Sequence, residues 1–281
     1  MQAHDFAGQT VLVTGAGSGI GLETALAFAR EGAAIVATDV DRHGLEALAK
    51  QLTGAGANCR IEMLDVSDEQ AVNQLAQTLA DDSALPDIVV NNAGIAYLNS
   101  FVNTDTDVWQ RTFDVNVLGV VHGCRAFIKL WQKTGRPGHL VNVASAASYA
   151  PMPNISAYVA SKYAVEGLSE VLAMELHGSN ICVSCIHPGV INTSIVKHDE
   201  RTSVSAEQAA QMQQHYLEKG SAPSVVADSI VTAVKRKQGN VYTGAGARVG
   251  AIAKRLLPRA WFRALLLQDA AKIGYLPAKK P

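Results

Sequence analysis

Between about residues 10 and 242, short apolar runs alternate with segments of helical periodicity, and this alternation limits the chain to one fold class. Residues 11–13, 34–38, 61–64, 88–90, 140–143, 181–186 and 241–242 read as strands. Residues 20–30, 44–52, 68–79, 105–133, 157–177 and 223–237 read as helices. Ser67 is the expected N-cap of the third helix, and Pro223 opens the last at a position that suits proline. Strands separated by helices of this length require βαβ crossovers, and so a parallel sheet. The strands are almost continuously apolar, as befits a sheet covered on both faces. The expected fold is α/β, a doubly wound parallel seven-stranded sheet. It occupies residues 1–245, with a C-terminal amphipathic helical tail over 246–281.

The ends of these strands carry the chemistry. Thr14-Gly15-Ala16-Gly17-Ser18-Gly19-Ile20-Gly21 follows the first strand and opens the first helix. Glycines there allow backbone to approach a pyrophosphate, and the helix N-terminus offers free N–H groups to it. Asp39 ends the second strand, 18 residues after Gly21, where a carboxylate reaches the adenosine ribose hydroxyls and repels a 2′-phosphate. NAD is therefore expected over NADP; Arg42 is the nearby cation that would serve NADP. Asp65-Val66 ends the third strand, at the rim where an adenine would lie. Asn91-Asn92-Ala93-Gly94 ends the fourth, and its small residues admit the cofactor. Ligands of open parallel sheets lie across such strand ends, so these four form one edge of a Rossmann fold.

Tyr158 and Lys162 stand one helical turn apart. A phenol is a poor base near neutrality, and a neighbouring cation favours its phenolate. Ser145 follows the fifth strand on the same edge and can hydrogen-bond a substrate oxygen. Ser148 and Tyr163 are the adjacent rivals, though only Tyr158 has a lysine four residues later. Asn116 could be a mid-helix residue bonding backbone, and His187 reads as a structural turn residue.

Together these motifs resemble the short-chain dehydrogenase/reductase family, over roughly residues 8–245. Asn116, Ser145, Tyr158 and Lys162 fall in the order and spacing of its catalytic tetrad. The resemblance implies a nicotinamide-dependent oxidoreductase acting on a secondary alcohol or ketone. It implies that Lys162 also holds the nicotinamide ribose and that Asn116 holds a water leading from Lys162 to solvent. Pro188-Gly189-Val190 and Thr193 are similar to the segment that meets the nicotinamide, and residues 190–220 correspond to the substrate cover. A homodimer or homotetramer through the helices at 105–133 and 157–177 is implied as well. The reading from another class is a regulatory protein that senses NAD(P) without turnover.

Ile95, Ala96, Tyr97, Ala147, Tyr149, Met152 and Pro153 give the expected substrate wall an apolar character, suited to a neutral lipophilic alcohol or ketone. A net charge of -1 and the absence of a basic block argue against a nucleic-acid partner. Cys182 and Cys185 lie three apart on a strand and point to opposite faces, so no metal site is expected. The four apolar-set cysteines and a polar start without a signal-like apolar core suggest a cytoplasmic protein. In the tail, Arg255, Arg259 and Arg263 form a stripe beside Leu256, Leu257, Trp261, Leu265 and Leu267, with Pro258 starting or kinking the helix. The pattern suits peripheral contact with an anionic membrane. It equally suits packing on the body, on a neighbouring subunit or over the substrate mouth.

Overall fold

The computed structural model describes residues 5–193, 195–197, 202 and 205–276. Parts of the expected substrate cover, at 194, 198–201 and 203–204, lie outside the described residues.

The chain runs β1 (Thr10–Thr14), α1 (Gly19–Arg30), β2 (Ala34–Asp39), α2 (Arg42–Gly54), β3 (Cys59–Met63), α3 (Glu69–Asp81), β4 (Ile88–Asn91) and β5 (Ala96–Tyr97). It continues with α4 (Thr106–Phe113), α5 (Gly119–Thr134), β6 (Gly138–Val143), α6 (Ser156–Glu175), β7 (Ile181–Pro188) and β8 (Val196–Lys197). Last come α7 (Ala206–Lys219), α8 (Pro223–Arg236), β9 (Asn240–Thr243), α9 (Ala247–Leu256) and α10 (Arg259–Ile273). Seven strands form one parallel sheet in the order β3-β2-β1-β4-β6-β7-β9. The order reverses at β1/β4, which places the crevice of a doubly wound sheet at the ends of those two strands.

Strand alternation divides the core in two. Val11, Val13, Ile35, Ala37, Ile88 and Val90 face α1, α2 and α8. Leu12, Val36, Val89 and Leu140 face α3, α5 and α6, where Trp131 is fully buried. Burial on both faces explains why these strands lack polar alternation.

Three local expectations are corrected. Asp68, not Ser67, caps α3, accepting from the N–H groups of Gln70 and Ala71. The Ser67 hydroxyl is turned instead toward the neighbouring ion pair, accepting from Arg111 Nη1 at 2.9 Å and donating to Asp65 at 2.6 Å. The helix expected over 105–133 contains a π turn at Asp114–Leu118, centred on Asn116. The tail is two helices rather than one, because proline cannot continue the ladder and the residue before it leaves helical geometry: Leu257 is extended at ψ 145. The small parallel pair β5–β8 went unforeseen; two-residue strands have no periodicity to read.

Candidate active site

The loop after β1 is compressed between α1 and the end of β4. A Cβ on Gly21 would lie 2.0 Å from the Gly15 carbonyl oxygen and 2.6 Å from Asn92 Nδ2. One on Gly15, whose φ is +66, would lie 2.9 Å from Ala93 Cα. Thr14 and Asn92 cross-brace the two strand ends. Asn92 Nδ2 donates to the carbonyls of Thr14 at 2.9 Å and Gly15 at 3.2 Å. Thr14 Oγ1 accepts from the N–H groups of Asn92 at 3.0 Å and Ala93 at 3.1 Å. The Asp39 carboxylate accepts from Gly17 N at 2.8 Å and Asp41 N at 3.0 Å, so it is pinned against the glycine loop.

A cavity of about 200 Å³ opens along this edge. Gly15, Ser18, Gly19, Ile20, Asp39, Asp65, Val66, Asn92, Ala93, Gly94 and Thr193 line it, as expected of cofactor-binding residues. Thr14, Gly17 and Gly21 stand behind it as framework. Burial pushes the Asp65 carboxyl up, but hydrogen bonds from Ser67 and the Arg111 guanidinium outweigh this and hold it below its usual range. Arg111 also lines the cavity and escaped the sequence reading, because its pairing with Asp65 spans 46 positions and leaves no local signal. A backbone cradle with the Asp39 carboxylate at its edge has the chemistry to hold a nicotinamide dinucleotide.

A second cavity, of about 270 Å³, shares Ile20, Asn92 and Thr193 with the first. Ser145, Tyr158, Lys162, Pro188, Gly189 and Val190 line it. Ser145 is extended, and its hydroxyl accepts from Ala147 N at 3.1 Å, holding a short turn after β6. Tyr158 lies in the first turn of α6, hydrogen-bonded to the Ser145 side chain. Lys162 is 2% exposed, donates to the Val143 carbonyl at 2.8 Å, and stands 5.7 Å from the Tyr158 ring centre.

The protonation expected of this pair is corrected. Burial raises the Tyr158 phenol to about 12, opposed by the Ser145 hydrogen bond and reinforced by Tyr216. Burial likewise depresses the Lys162 ammonium to about 8. Lys162 is hydrogen-bonded to backbone rather than to the phenol, and burial outweighs what favours the Tyr158 phenolate.

Asn116 is fully buried beside this pair. Its Oδ1 accepts from Ile95 N at 2.8 Å, and its Nδ2 donates to Ile95 O at 2.9 Å and Ser161 Oγ at 3.0 Å. Both amide protons are therefore spent on protein, and the side chain anchors the strand-end loop. Ser148 donates to the Ser145 carbonyl at 2.8 Å and pairs with His187 Nδ1 at 3.1 Å, which makes it a brace. His187 is a buried strand residue rather than a turn residue, stacked on Tyr242 at 4.7 Å. Tyr163 faces outward, where Lys254 reaches its hydroxyl at 3.0 Å.

Ala96, Ala147, Tyr149 and Met152 line the second cavity as expected of the substrate wall; Tyr97 and Pro153 do not, and Ile95 faces the first cavity instead. The tail completes the chamber. Tyr149 donates to the Ala247 carbonyl at 2.8 Å, and Leu266, Ile273 and Tyr275 line the roof with Tyr216 of α7. No sequence feature used to find the strand ends marks these four roof residues. Gly274, a glycine closing a helical stretch, was the available sign that Tyr275 turns back toward the body. Among the described residues no acidic, histidine or cysteine cluster could hold a metal, and no helix is long and apolar enough to cross a membrane.

A family model described as short chain dehydrogenase matches residues 9–204. EphD of Mycobacterium tuberculosis is 41% identical over 239 residues, which cover 83% of this chain and 40% of EphD. The chain therefore spans less than half the length of that relative. SadH of the same organism is 31% identical over 263 residues, 92% of this chain and 94% of SadH. A crystal structure of a short chain dehydrogenase/reductase from Burkholderia phymatum in complex with NAD matches with a TM-score of 0.78 at 26% identity, covering 99% of each chain.

Proposed function

The chain belongs to the short-chain dehydrogenase/reductase family, and we propose that it is an NAD(P)-dependent oxidoreductase acting on a secondary alcohol or ketone of apolar character. One observation carries this reading: Ser145, Tyr158 and buried Lys162 share a chamber that is continuous with a glycine-loop cradle. A bound nicotinamide dinucleotide would supply the hydride acceptor or donor.

The chain's own residues do the rest. The Ser145 and Tyr158 hydroxyls bind the substrate oxygen. Tyr158 gives a proton to that oxygen in reduction and takes one in oxidation. Lys162 keeps a positive charge near this exchange at neutral pH, and Asn116 fixes the loop that carries Ile95 against it. The apolar roof excludes water from the reacting atoms. A panel of hydrophobic alcohols and ketones, followed through reduced-nicotinamide absorbance with each dinucleotide, tests the reading. Binding of dinucleotide with no turnover of any member would favour the NAD(P)-sensing alternative.

NAD is the preferred dinucleotide in this proposal, because the Asp39 carboxylate is fixed at the cradle by Gly17 and Asp41. A 2′-phosphate placed beside it meets like charge. Asp39→Asn keeps the volume and removes the charge. It is expected to lower the NAD-over-NADP ratio of kcat/KM by about tenfold or more. A wild-type preference for NADP would refute the assignment.

The tail supports a further reading, peripheral contact with an anionic bilayer. Leu256 is 74% exposed and Trp261 68% exposed, next to the exposed Arg255, Arg259 and Arg263. Apolar insertion with cationic attraction is the chemistry of an interfacial helix. Flotation is expected with phosphatidylserine-containing vesicles and not with neutral ones, and to weaken in Trp261→Ala. Equal recovery with both vesicle types rejects the contact. Exposed Leu118, Val171 and Met174 support a homodimer or homotetramer through the α5 and α6 faces.

A further inference from the structure

We propose that Tyr216 and Tyr275 form a second polar recognition point in the substrate chamber, one that binds a hydrogen-bond acceptor carried by an otherwise apolar alcohol or ketone. The inference rests on the oxidoreductase reading and narrows its substrate class.

The two phenol oxygens are 2.7 Å apart. Both rings line the chamber that holds Ser145, Tyr158 and Lys162. They belong to the apolar cluster of Leu98, Ile155, Met212 and Ile273 against which Tyr158 packs. Two hydroxyls carry two donor protons, and a single contact between them uses one. The second proton has no further acceptor among the described residues. A buried donor without an acceptor is destabilising, so a ligand oxygen that accepts it is favoured over a purely apolar one. Burial raises both phenols above their ordinary value, which keeps both protonated across the working pH range.

The pair is built into position from several sides. Gly274 takes φ +102 after α10 and turns the chain back, so that Tyr275 enters the chamber. A Cβ at Gly274 would meet the Gln208 carbonyl oxygen and Met212 Cγ, each at 3.1 Å, and would be strained at this φ. Asn154, itself at φ 62, donates through Nδ2 to the Tyr275 carbonyl. Gln211 of α7 donates to the Ala271 and Lys272 carbonyls, and Gln208 donates to the Gly274 carbonyl. These bonds cap the last turn of α10 with side chains from the helix that bears Tyr216, so both phenols are fixed together. Such preorganisation is what a specificity contact requires. The carboxylate of Asp269 also reaches the chamber, but its side chain is 57% exposed and lies 3.8 Å from Lys272 at the mouth.

The chamber volume of about 270 Å³ suits a compact ring-sized molecule. The inferred substrate class is a compact alicyclic or aromatic alcohol or ketone with a second oxygen, such as a diketone, hydroxyketone or alkoxyketone.

The test uses the full chain with its preferred dinucleotide. Pairs of ketones that differ only in a second acceptor oxygen are compared by kcat/KM, cyclohexanone against cyclohexane-1,4-dione being one pair. The wild type is expected to prefer the oxygenated member by about tenfold to a hundredfold. Tyr275→Phe and Tyr216→Phe are each expected to reduce that preference to about twofold, mainly through KM. Tyr163→Phe, outside the chamber, is expected to retain it. An unchanged preference in both chamber variants overturns the proposal, as does a wild type without any preference while turnover proceeds. Calorimetric binding of the same pairs to the dinucleotide-loaded wild type reads the preference even if a variant fails to fold or no ketone reacts. Absence of turnover with either dinucleotide would count against the oxidoreductase reading alone, whereas equal calorimetric affinities would sink the phenol pair.

Discussion

Tyr158→Phe is expected to lower kcat by about 10²–10⁴-fold while the circular dichroism spectrum stays that of the native fold. The substitution removes one oxygen and leaves the ring packed against Leu98, Ile155 and Met152. The lost atom is the proposed proton carrier, hydrogen-bonded to Ser145. With Tyr158 near 12 and Lys162 near 8, the chamber at neutral pH holds a neutral phenol beside an ammonium. That protonation state suits ketone reduction, in which Tyr158 donates. Alcohol oxidation needs the phenol to give up its proton first, so its rate is expected to climb as pH rises above neutrality. Tyr158→Phe should erase this climb along with the rate. Wild-type kcat in the phenylalanine variant would remove Tyr158 from the reaction.

The second large effect is expected at Gly21. Gly21→Ala puts a methyl carbon 2.0 Å from the Gly15 carbonyl oxygen, and backbone cannot swing aside as a side chain can. Either the turn opens or α1 shifts; both disturb the bonds from Asn92 to Thr14 and Gly15. A stability loss of roughly 1–3 kcal/mol is expected from overpacking. Weakening of dinucleotide binding by about tenfold to a hundredfold is expected with it, since the N–H groups proposed to hold the pyrophosphate lie on this turn. Fluorescence titration with reduced dinucleotide and thermal unfolding measure the two losses. An affinity near wild type would mean that the turn relaxes and that close backbone approach is not what this glycine provides.

The sheet was legible because its signal is local. Val11, Leu12 and Val13 face opposite layers but are all buried, so an apolar run was enough to mark the strand. The glycine loop, Asp39, Asp65 and Asn92 sit at strand ends, and strand ends could be counted. What escaped depends on which distant groups meet. Ser67 looked like a cap, but its oxygen accepts from Arg111, 44 positions away. The partners of the Asn116 amide, Ile95 and Ser161, could not be read from its place in the helix. The lysine beside Tyr158 suggested a lowered phenol pKa, yet enclosure by the tail and α7 is a tertiary effect and acts more strongly in the opposite sense. Pro258 was read as starting or kinking the tail helix, and it begins α10, so the arginine stripe is split between two helices. The phenols at 216 and 275 are 59 positions apart and carry no shared motif.

The cross-linked α7–α10 roof separates two kinds of change available to the molecule over time. Ser145 sits on the turn after β6, and Tyr158 and Lys162 on α6, which packs against the sheet. The roof meets that body through a few side-chain bonds, Tyr149 to Ala247 and Asn154 to Tyr275 among them. New residues at Leu266, Ile273 or Tyr275 alter the shape of the chamber without touching the Ser145 turn or the bond from Lys162 to Val143. The tail is thus the region in which divergence, natural or directed, can explore new substrates while the inherited reaction stays intact.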